Sequence, residues 1–270
     1  MSSYLRILRP LNCIMAVVAA YIGALISGLN FIPDLILIYA FISVFLICAG
    51  GMVINDYFDV EIDKINRPNR PIPSGKMGKY TALIYSILLF AVGLYFAFRI
   101  NYTALGMAVF AAAVLVAYAG YFKKVILVGN ILVSALVALT FIYGALINMN
   151  YMSTLFLALL AFLSNTGREI FKDAEDVLGD KKLHVISLPI KYGVHKARAA
   201  ATLFIIAAVI LSFVPFFLGI FGFVYLFFVT IADIVFVVAV SVPIRYSTKL
   251  IKIAMIVALI AFLVAAFYGS

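Results

Sequence analysis

Acidic side chains are scarce in this chain: Asp and Glu number 11 among 270 residues, against 20 Lys and Arg. Tryptophan is absent, and there are two cysteines and two histidines. Cys13 and Cys48 both fall in apolar stretches, so a disulfide framework is excluded and both read as small packing residues. His184 and His195 sit in a basic loop and read as surface residues. No Ser-His-Asp or Cys-His constellation occurs, and no phosphate-binding glycine loop of the P-loop kind. Linkers and low-complexity tracts are missing too, which leaves residues 1–270 as a single domain. Charged residues make up 11% of the chain, too little for a water-covered surface.

Apolar residues fill the space instead, at 67% of the composition and a mean hydropathy of +1.21. A bilayer-crossing helix needs about 20 apolar residues in a row. Nine such stretches are present, at 11–29, 34–54, 81–98, 102–121, 126–146, 152–168, 199–218, 221–240 and 250–268. Polar and apolar residues do not alternate along them, which excludes barrel strands. The expected fold is an all-α integral membrane protein with nine transmembrane helices in one bundle. With loops assigned alternately to two sides, every Lys and Arg except Arg99 falls on one side. The positive-inside rule then makes the N-terminus cytoplasmic and the C-terminus external, with an uncleaved first helix. The net charge of +9 belongs to this topology and to anionic ligands or lipids. Nucleic acid is excluded as a partner, because no soluble domain carries the basic residues.

Scarcity makes the acidic positions informative. Nine of the eleven lie within 56–63 and 169–180; the others are Asp34 and Asp233. Each cluster contains D-x-x-D-V-x-x-D, as Asp56, Asp59 and Asp63 and again, 117 residues later, as Asp173, Asp176 and Asp180. On a helix this spacing places three carboxylates along one face, where like charges repel unless a cation intervenes. Two facing clusters suit two or more divalent ions, and two ions suit a bound diphosphate. Basic residues follow each cluster: Lys64, Arg67, Arg70, Lys76 and Lys79 after the first, and Lys181, Lys182, Lys191 and Lys196 after the second. Carboxylates for metals beside cations for phosphate oxygens is the composition such a site requires. Glu61, Glu169 and Glu175 fall off the shared face and read as ion-pairing residues. Asp233, within the eighth stretch, reads either as a buried helix–helix hydrogen bond or as a functional carboxylate. The repeated motif, after the second and sixth stretches, suggests two related halves of four helices and one extra.

The stretch Asn55-Asp56-Tyr57-Phe58-Asp59-Val60-Glu61-Ile62-Asp63, followed by Asn66-Arg67-Pro68-Asn69-Arg70-Pro71-Ile72-Pro73-Ser74-Gly75, resembles the first signature of the UbiA superfamily of intramembrane prenyltransferases. The second cluster, with Lys181-Lys182 and Leu188-Pro189-Ile190-Lys191-Tyr192-Gly193, resembles that family's second aspartate motif. The run from Arg168 to Asp180 is most similar to the archaeal ether-lipid branch. The resemblance implies Mg²⁺-dependent transfer of a prenyl chain from its diphosphate to an acceptor. Asn55, Asp56, Asp59 and Asp63 are then expected to serve one metal cluster, and Asp173, Asp176 and Asp180 the other. Asp56, Asp59, Asp173 and Asp176 are the expected catalytic residues. Arg67, Arg70, Lys123, Lys124 and Lys181 are expected to contact diphosphate or acceptor. Tyr118 reads either as the family's tyrosine or as an interfacial aromatic. Asn12 points into the cavity or caps its helix. The pair Gly129-Asn130 also matches the family, although helix packing explains the glycine equally well.

In the archaeal branch the donor is geranylgeranyl diphosphate and the acceptor geranylgeranylglyceryl phosphate. The alternatives are an aromatic acceptor, as in quinone, haem or chlorophyll synthesis, and a cation transporter. Transport sites lie near the bilayer midplane, whereas these clusters lie at one face. A lipid head-group phosphotransferase is excluded by the missing D-G-x-x-A-R run. The expected partners are a prenyl diphosphate, a lipid-like acceptor and membrane lipids, with no protein partner. The expected location is the cell membrane, multi-pass, with the site at the cytoplasmic face and an apolar cavity open to lipid. Some of the 16 Tyr and 24 Phe line that cavity, while most pack or face lipid.

Overall fold

Long apolar runs with few helix breakers fold as helices, because the hydrocarbon environment leaves backbone groups no partner but one another. A computed structural model describes residues 3–28, 34–147, 152–177 and 187–268, all of them helix or connection with no strand among them. The helices are α1 (Ser3–Ile7), α2 (Pro10–Ile26), α3 (Leu35–Phe58), α4 (Val60–Asn66), α5 (Lys79–Ile100), α6 (Tyr102–Gly120) and α7 (Val128–Ala145). They continue as α8 (Met152–Glu175), α9 (Leu188–Tyr192), α10 (Val194–Ser212), α11 (Val214–Phe217), α12 (Phe223–Ser241) and α13 (Ile244–Tyr268). Pro10 opens α2 at a position where its missing N–H costs nothing. Asp34 caps α3 by accepting from the Leu37 amide at 2.8 Å, and Asn101 caps α6 by accepting from Ala104 at 2.7 Å.

Each of the nine apolar stretches coincides with a helix, and length and composition alone qualify seven of these helices as crossings. Among the described residues seven helices qualify: α3, α5, α6, α7, α10 with α11, α12 and α13. The first expected span, α2, has only 17 residues. The sixth, α8, carries Arg168, Glu169, Lys172, Asp173 and Glu175 in its last two turns. Four helices also outrun their apolar stretches into polar sequence. α3 reaches Phe58, α8 reaches Glu175, α10 begins at Val194, and α13 begins at Ile244. Hydropathy therefore misses charged residues that are helical and sit at the edge of the bundle.

The long helices close a ring: α2 on α3, α3 on α5 and α6, α6 on α7, α7 on α8, α8 on α10, α10 on α12, α12 on α13, and α13 back on α2 and α8. Phe141, Leu157, Tyr225, Val229 and Phe262 fill the main core between α7, α8, α12 and α13. Outward faces stay apolar, with Ile84, Leu88, Phe110, Leu203, Ile210 and Phe227 all exposed. Such faces are stable only against lipid, so the chain is a multi-pass membrane protein.

Toward their C-terminal ends α2 and α7 touch through glycine. A Cβ on Gly23 would lie 2.0 Å from the Phe141 carbonyl oxygen, and one on Gly144 would lie 1.8 Å from that of Ala20. Small residues are what let two membrane helices approach so closely. Gly144→Ala must push the backbones apart and is expected to cost about 1–3 kcal/mol, read as a lower unfolding midpoint in detergent. Gly106, whose Cβ would meet nothing within 4 Å, supplies the control. Equal midpoints for Gly144→Ala and Gly106→Ala would contradict the close approach.

Candidate active site

The first acidic motif does not form one continuous helical face. α3 ends at Phe58, Asp59 takes a non-helical conformation, and α4 starts at Val60. The break comes one turn past the apolar run and distributes the three carboxylates over α3, the junction and α4, where Arg70 still bridges Asp56 and Asp63. Asp56 stays on α3, only 1% exposed, and pairs with Arg9 and Arg70. Asp59, at the break, pairs with Lys123 and accepts from Asn55 at 2.7 Å. Asp63, on α4, pairs with Arg70. The second motif is broken likewise: Asp173 lies on α8, and Asp176 follows its last residue. Asp180 and Lys181 lie outside the described residues.

The two motifs meet. Arg67, beyond α4, donates to Asp176 at 3.0 and 3.4 Å across 109 residues of sequence. Asn130, in the first turn of α7, donates to Asp173 at 2.8 Å, giving the expected Gly-Asn pair a positioning role. Arg67 and Arg70 are held by the proline-rich segment after α4, whose Ile72 and Met77 are buried against Ile7, Leu8 and Val53. Three prolines stiffen it, so the guanidiniums keep their places at low entropic cost.

Asn55, Asp59, Asp63, Asp173 and Asp176 share one cavity of about 310 Å³, together with Arg67, Arg70 and Lys123. Lys123 lies in a single turn after α6, Phe122–Lys124; Lys124 shares the turn, and its side chain is outside the described residues. Asp56 lies just behind the cavity wall, where its carboxylate accepts from Arg9 and from the same Arg70 Nη1 that pairs with Asp63. Burial lowers the pKa of the Arg9 guanidinium, with the charge of Asp56 opposing. Burial also pushes the Asp63 carboxyl above its ordinary range, with Arg70 opposing.

A second cavity of about 660 Å³ adjoins the first, and Arg9, Asn55, Arg67, Arg70, Tyr118 and Lys172 border both. Its walls are mostly apolar and come from α2, α3, α6, α7, α8, α10, α12 and α13. Tyr118 stands at the junction, facing the cavities instead of lipid. Asn12 lines the larger cavity and accepts from Lys252 at 2.5 Å; it does not cap α2. Asp233 also borders it and accepts from Ser212 at 2.7 Å, the expected helix–helix bond.

The glutamates behave as their positions suggest. Glu61 pairs with Lys64, Glu169 with Arg168 and Lys172, and Glu175 accepts from Thr248. Arg9, Arg168, Lys172, Lys249 and Lys252 border the larger cavity and were legible in sequence only as topology charges. Among the described residues no three acidic side chains already form an ion cage. The donor set nevertheless fits a hard cation that shares its coordination with phosphate: several carboxylate oxygens and an amide oxygen line one cavity.

The sequence model of the UbiA prenyltransferase family matches residues 16–263. The chain belongs to this family. Curated relatives named digeranylgeranylglyceryl phosphate synthase include those of Methanocaldococcus jannaschii, 42% identical over 98% of this chain and 96% of the relative, and of Pyrococcus furiosus, 43% identical over 97% and 96%. A solved structure concerned with digeranylgeranylglyceryl phosphate synthase in membranes superposes with TM-score 0.79 at 42% identity, covering 99% of this chain and 98% of that one. A UbiA homologue from Archaeoglobus fulgidus bound to GPP and Mg²⁺ gives TM-score 0.75 at 19% identity, over 98% of this chain and 100% of the other, and so shares the fold.

Within this UbiA site the ion pairs differ in depth. Side-chain exposures are 15% and 4% for Arg70 and Asp63, against 34% and 23% for Arg67 and Asp176. Arg70→Met leaves Asp63 buried without a cation and is expected to cost about 3–5 kcal/mol. Arg67→Met should cost under about 1 kcal/mol. Unfolding midpoints of the two purified variants check the contrast, and the reverse order would refute the assigned depths.

Proposed function

We propose that this chain transfers a geranylgeranyl group from geranylgeranyl diphosphate to geranylgeranylglyceryl phosphate, releasing diphosphate and forming the second ether bond of an archaeal membrane lipid. The observation that supports this most is the meeting of the two acidic motifs around one polar cavity that opens into a larger apolar one. Full-length relatives named for this product at 42–43% identity support the choice of acceptor.

In the proposed reaction the allylic C–O bond of the donor breaks and its electron pair leaves on the diphosphate. The acceptor hydroxyl oxygen bonds to the allylic carbon, and its proton passes to the departing diphosphate, so no strong protein base is required. Mg²⁺, when bound, neutralises the charge developing on the leaving group. Asn55, Asp56, Asp59 and Asp63 would hold it on one side and Asp173 and Asp176 on the other, joined by Asp180. Lys123, Arg67 and Arg70 lie beside those carboxylates and present donors to phosphate oxygens. Asp56 and Asn130 position Arg9, Arg70 and Asp173. Tyr118, at the junction, marks where the reacting carbon sits, with the isoprenoid chain in the dry cavity behind it.

The same reading makes the chain one domain with nine crossings, α2 and α8 among them, in the cell membrane. Its N-terminus and active site are cytoplasmic, and its C-terminus is external. Arg99, at the far end of α5, is the lone cation on the other side.

Detergent-purified protein given geranylgeranyl diphosphate and Mg²⁺, with geranylgeranylglyceryl phosphate and 4-hydroxybenzoate as rival acceptors, should yield only the diether phosphate, and none without Mg²⁺. Prenylated benzoate would move the acceptor to the aromatic class. Asp59→Ala and Asp176→Ala should each abolish turnover while the protein stays folded. Wild-type Mg²⁺-dependent rates in either variant would overturn the ligand assignment.

A further inference from the structure

The cations next to the acidic motifs are matched by carboxylates, but among the described residues Lys249 and Lys252, on the wall of the larger cavity, have no carboxylate pair. Arg168 and Lys172, one turn apart on α8, and Lys249 and Lys252, one turn apart on α13, all border it, and α8 packs on α13. Among the described residues, the carboxylates bordering this part of the wall are Glu169, which pairs with Arg168 and Lys172, and Glu175 at the rim. Four cations against two carboxylates leave two positive charges. Among the described residues, Lys252 has only a neutral amide oxygen, that of Asn12, as hydrogen-bond partner, with Arg168 and Arg9 close enough to repel its charge, and the buried Nε of Arg168 has none. A buried donor and a like-charged cluster in an apolar wall are costly alone, and an anion relieves both.

The size of the surplus identifies the anion's chemistry. A phosphomonoester carries about −1.5 to −2 charges near neutral pH and offers three acceptor oxygens. What lies beside the cations identifies what the phosphate is attached to. On α13 the cavity wall runs Lys249, Lys252, Met255, Leu259, Phe262, steps of three and four residues that form one helical stripe. Cations occupy its first turns and apolar side chains the rest. A free phosphate has no use for that continuation, whereas a lipid with a phosphate head does.

We propose that Lys249, Lys252, Arg168 and Lys172 receive the phosphate of the acceptor lipid, and that the stripe below them receives its isoprenoid chain. The site rests on the ether-lipid reading given above and adds to it a second phosphate pocket, distinct from the one that holds the donor diphosphate. It places the acceptor against α8 and α13, with its head on the opposite side of Lys172 from the acidic motifs. Lys172 borders both cavities and so faces both phosphates.

Equilibrium binding of geranylgeranylglyceryl phosphate and of its alcohol, geranylgeranylglycerol, tests the pocket without turnover. Wild-type protein should prefer the phosphate at least tenfold. Lys249→Gln with Lys252→Gln should erase most of that preference while donor diphosphate binding stays within about twofold. Lys249→Gln alone, at an exposed position, is expected to lose part of it and guards against misfolding of the double variant. An unchanged preference in both variants would overturn the proposal, as would an equal loss of donor binding. Displacement of the lipid phosphate by an equal concentration of inorganic phosphate would make this a free-phosphate site and overturn the lipid assignment. The arms separate the two readings. If wild-type protein makes no diether phosphate but shows a preference that the variants lose, the pocket stands and the reaction fails. If product forms and the variants keep the preference unaltered, the reaction stands and the pocket fails.

Discussion

A charge surrounded by hydrocarbon must meet a counter-charge or reach water, and in this protein that requirement organises everything at one end of the bundle. Asp56 sits between Arg9 and Arg70, Arg70 between Asp56 and Asp63, Asp59 against Lys123, and Asp176 against Arg67. Both acidic motifs contribute to this lattice. The pairings of Arg9, Lys123 and Arg67 join elements far apart in sequence, so there electrostatic satisfaction and helix arrangement are a single problem. The glycine contact of α2 with α7 solves its other part, bringing backbones together where no polar group is needed.

Two media meet in the site. The smaller cavity is walled by ions and belongs to phosphate and metal chemistry; the larger is walled by α-helical apolar side chains. Six residues border both, so the reacting carbon and its leaving group need never lie in the same environment. The surplus of positive charge on α8 and α13 opens from the apolar side. That separates a second anionic head from the first by protein, which keeps two like-charged substrates from competing for one set of cations.

The fold class and both motifs were legible in the sequence because each rests on a local signal: long apolar runs, and carboxylates where carboxylates are rare. Asp59, Asp63, Asp173 and Asp176 came together as expected. Asp56 stands beside them, tied to Asp63 through Arg70, although the chain breaks at Asp59 and the three carboxylates do not lie on one continuous helix. Lys249 and Lys252 escaped notice for a related reason. Their helix starts within polar sequence at Ile244, six residues before the apolar stretch, and a charge count treats loop and helix alike. The same charge that reports topology from sequence acquires a second meaning only when the helix face is known. Crossing number is less legible, because α2 is short and α8 ends in charged residues that line the site, and hydropathy does not separate such helices from ones that face lipid along their whole length.

The hydrogen bond from Lys252 to Asn12 joins residues 240 positions apart, and that separation has a biosynthetic meaning. Helices enter the membrane in chain order, so α2 waits for nearly the whole polypeptide before its polar side chain finds this partner. Arg67 waits 109 residues for Asp176 in the same way. The guanidinium of Arg67 therefore gains its partner only after α8 is made, and the amide of Asn12 only after the start of α13. Both ends of the site are thus tied together by contacts that no local segment can form alone.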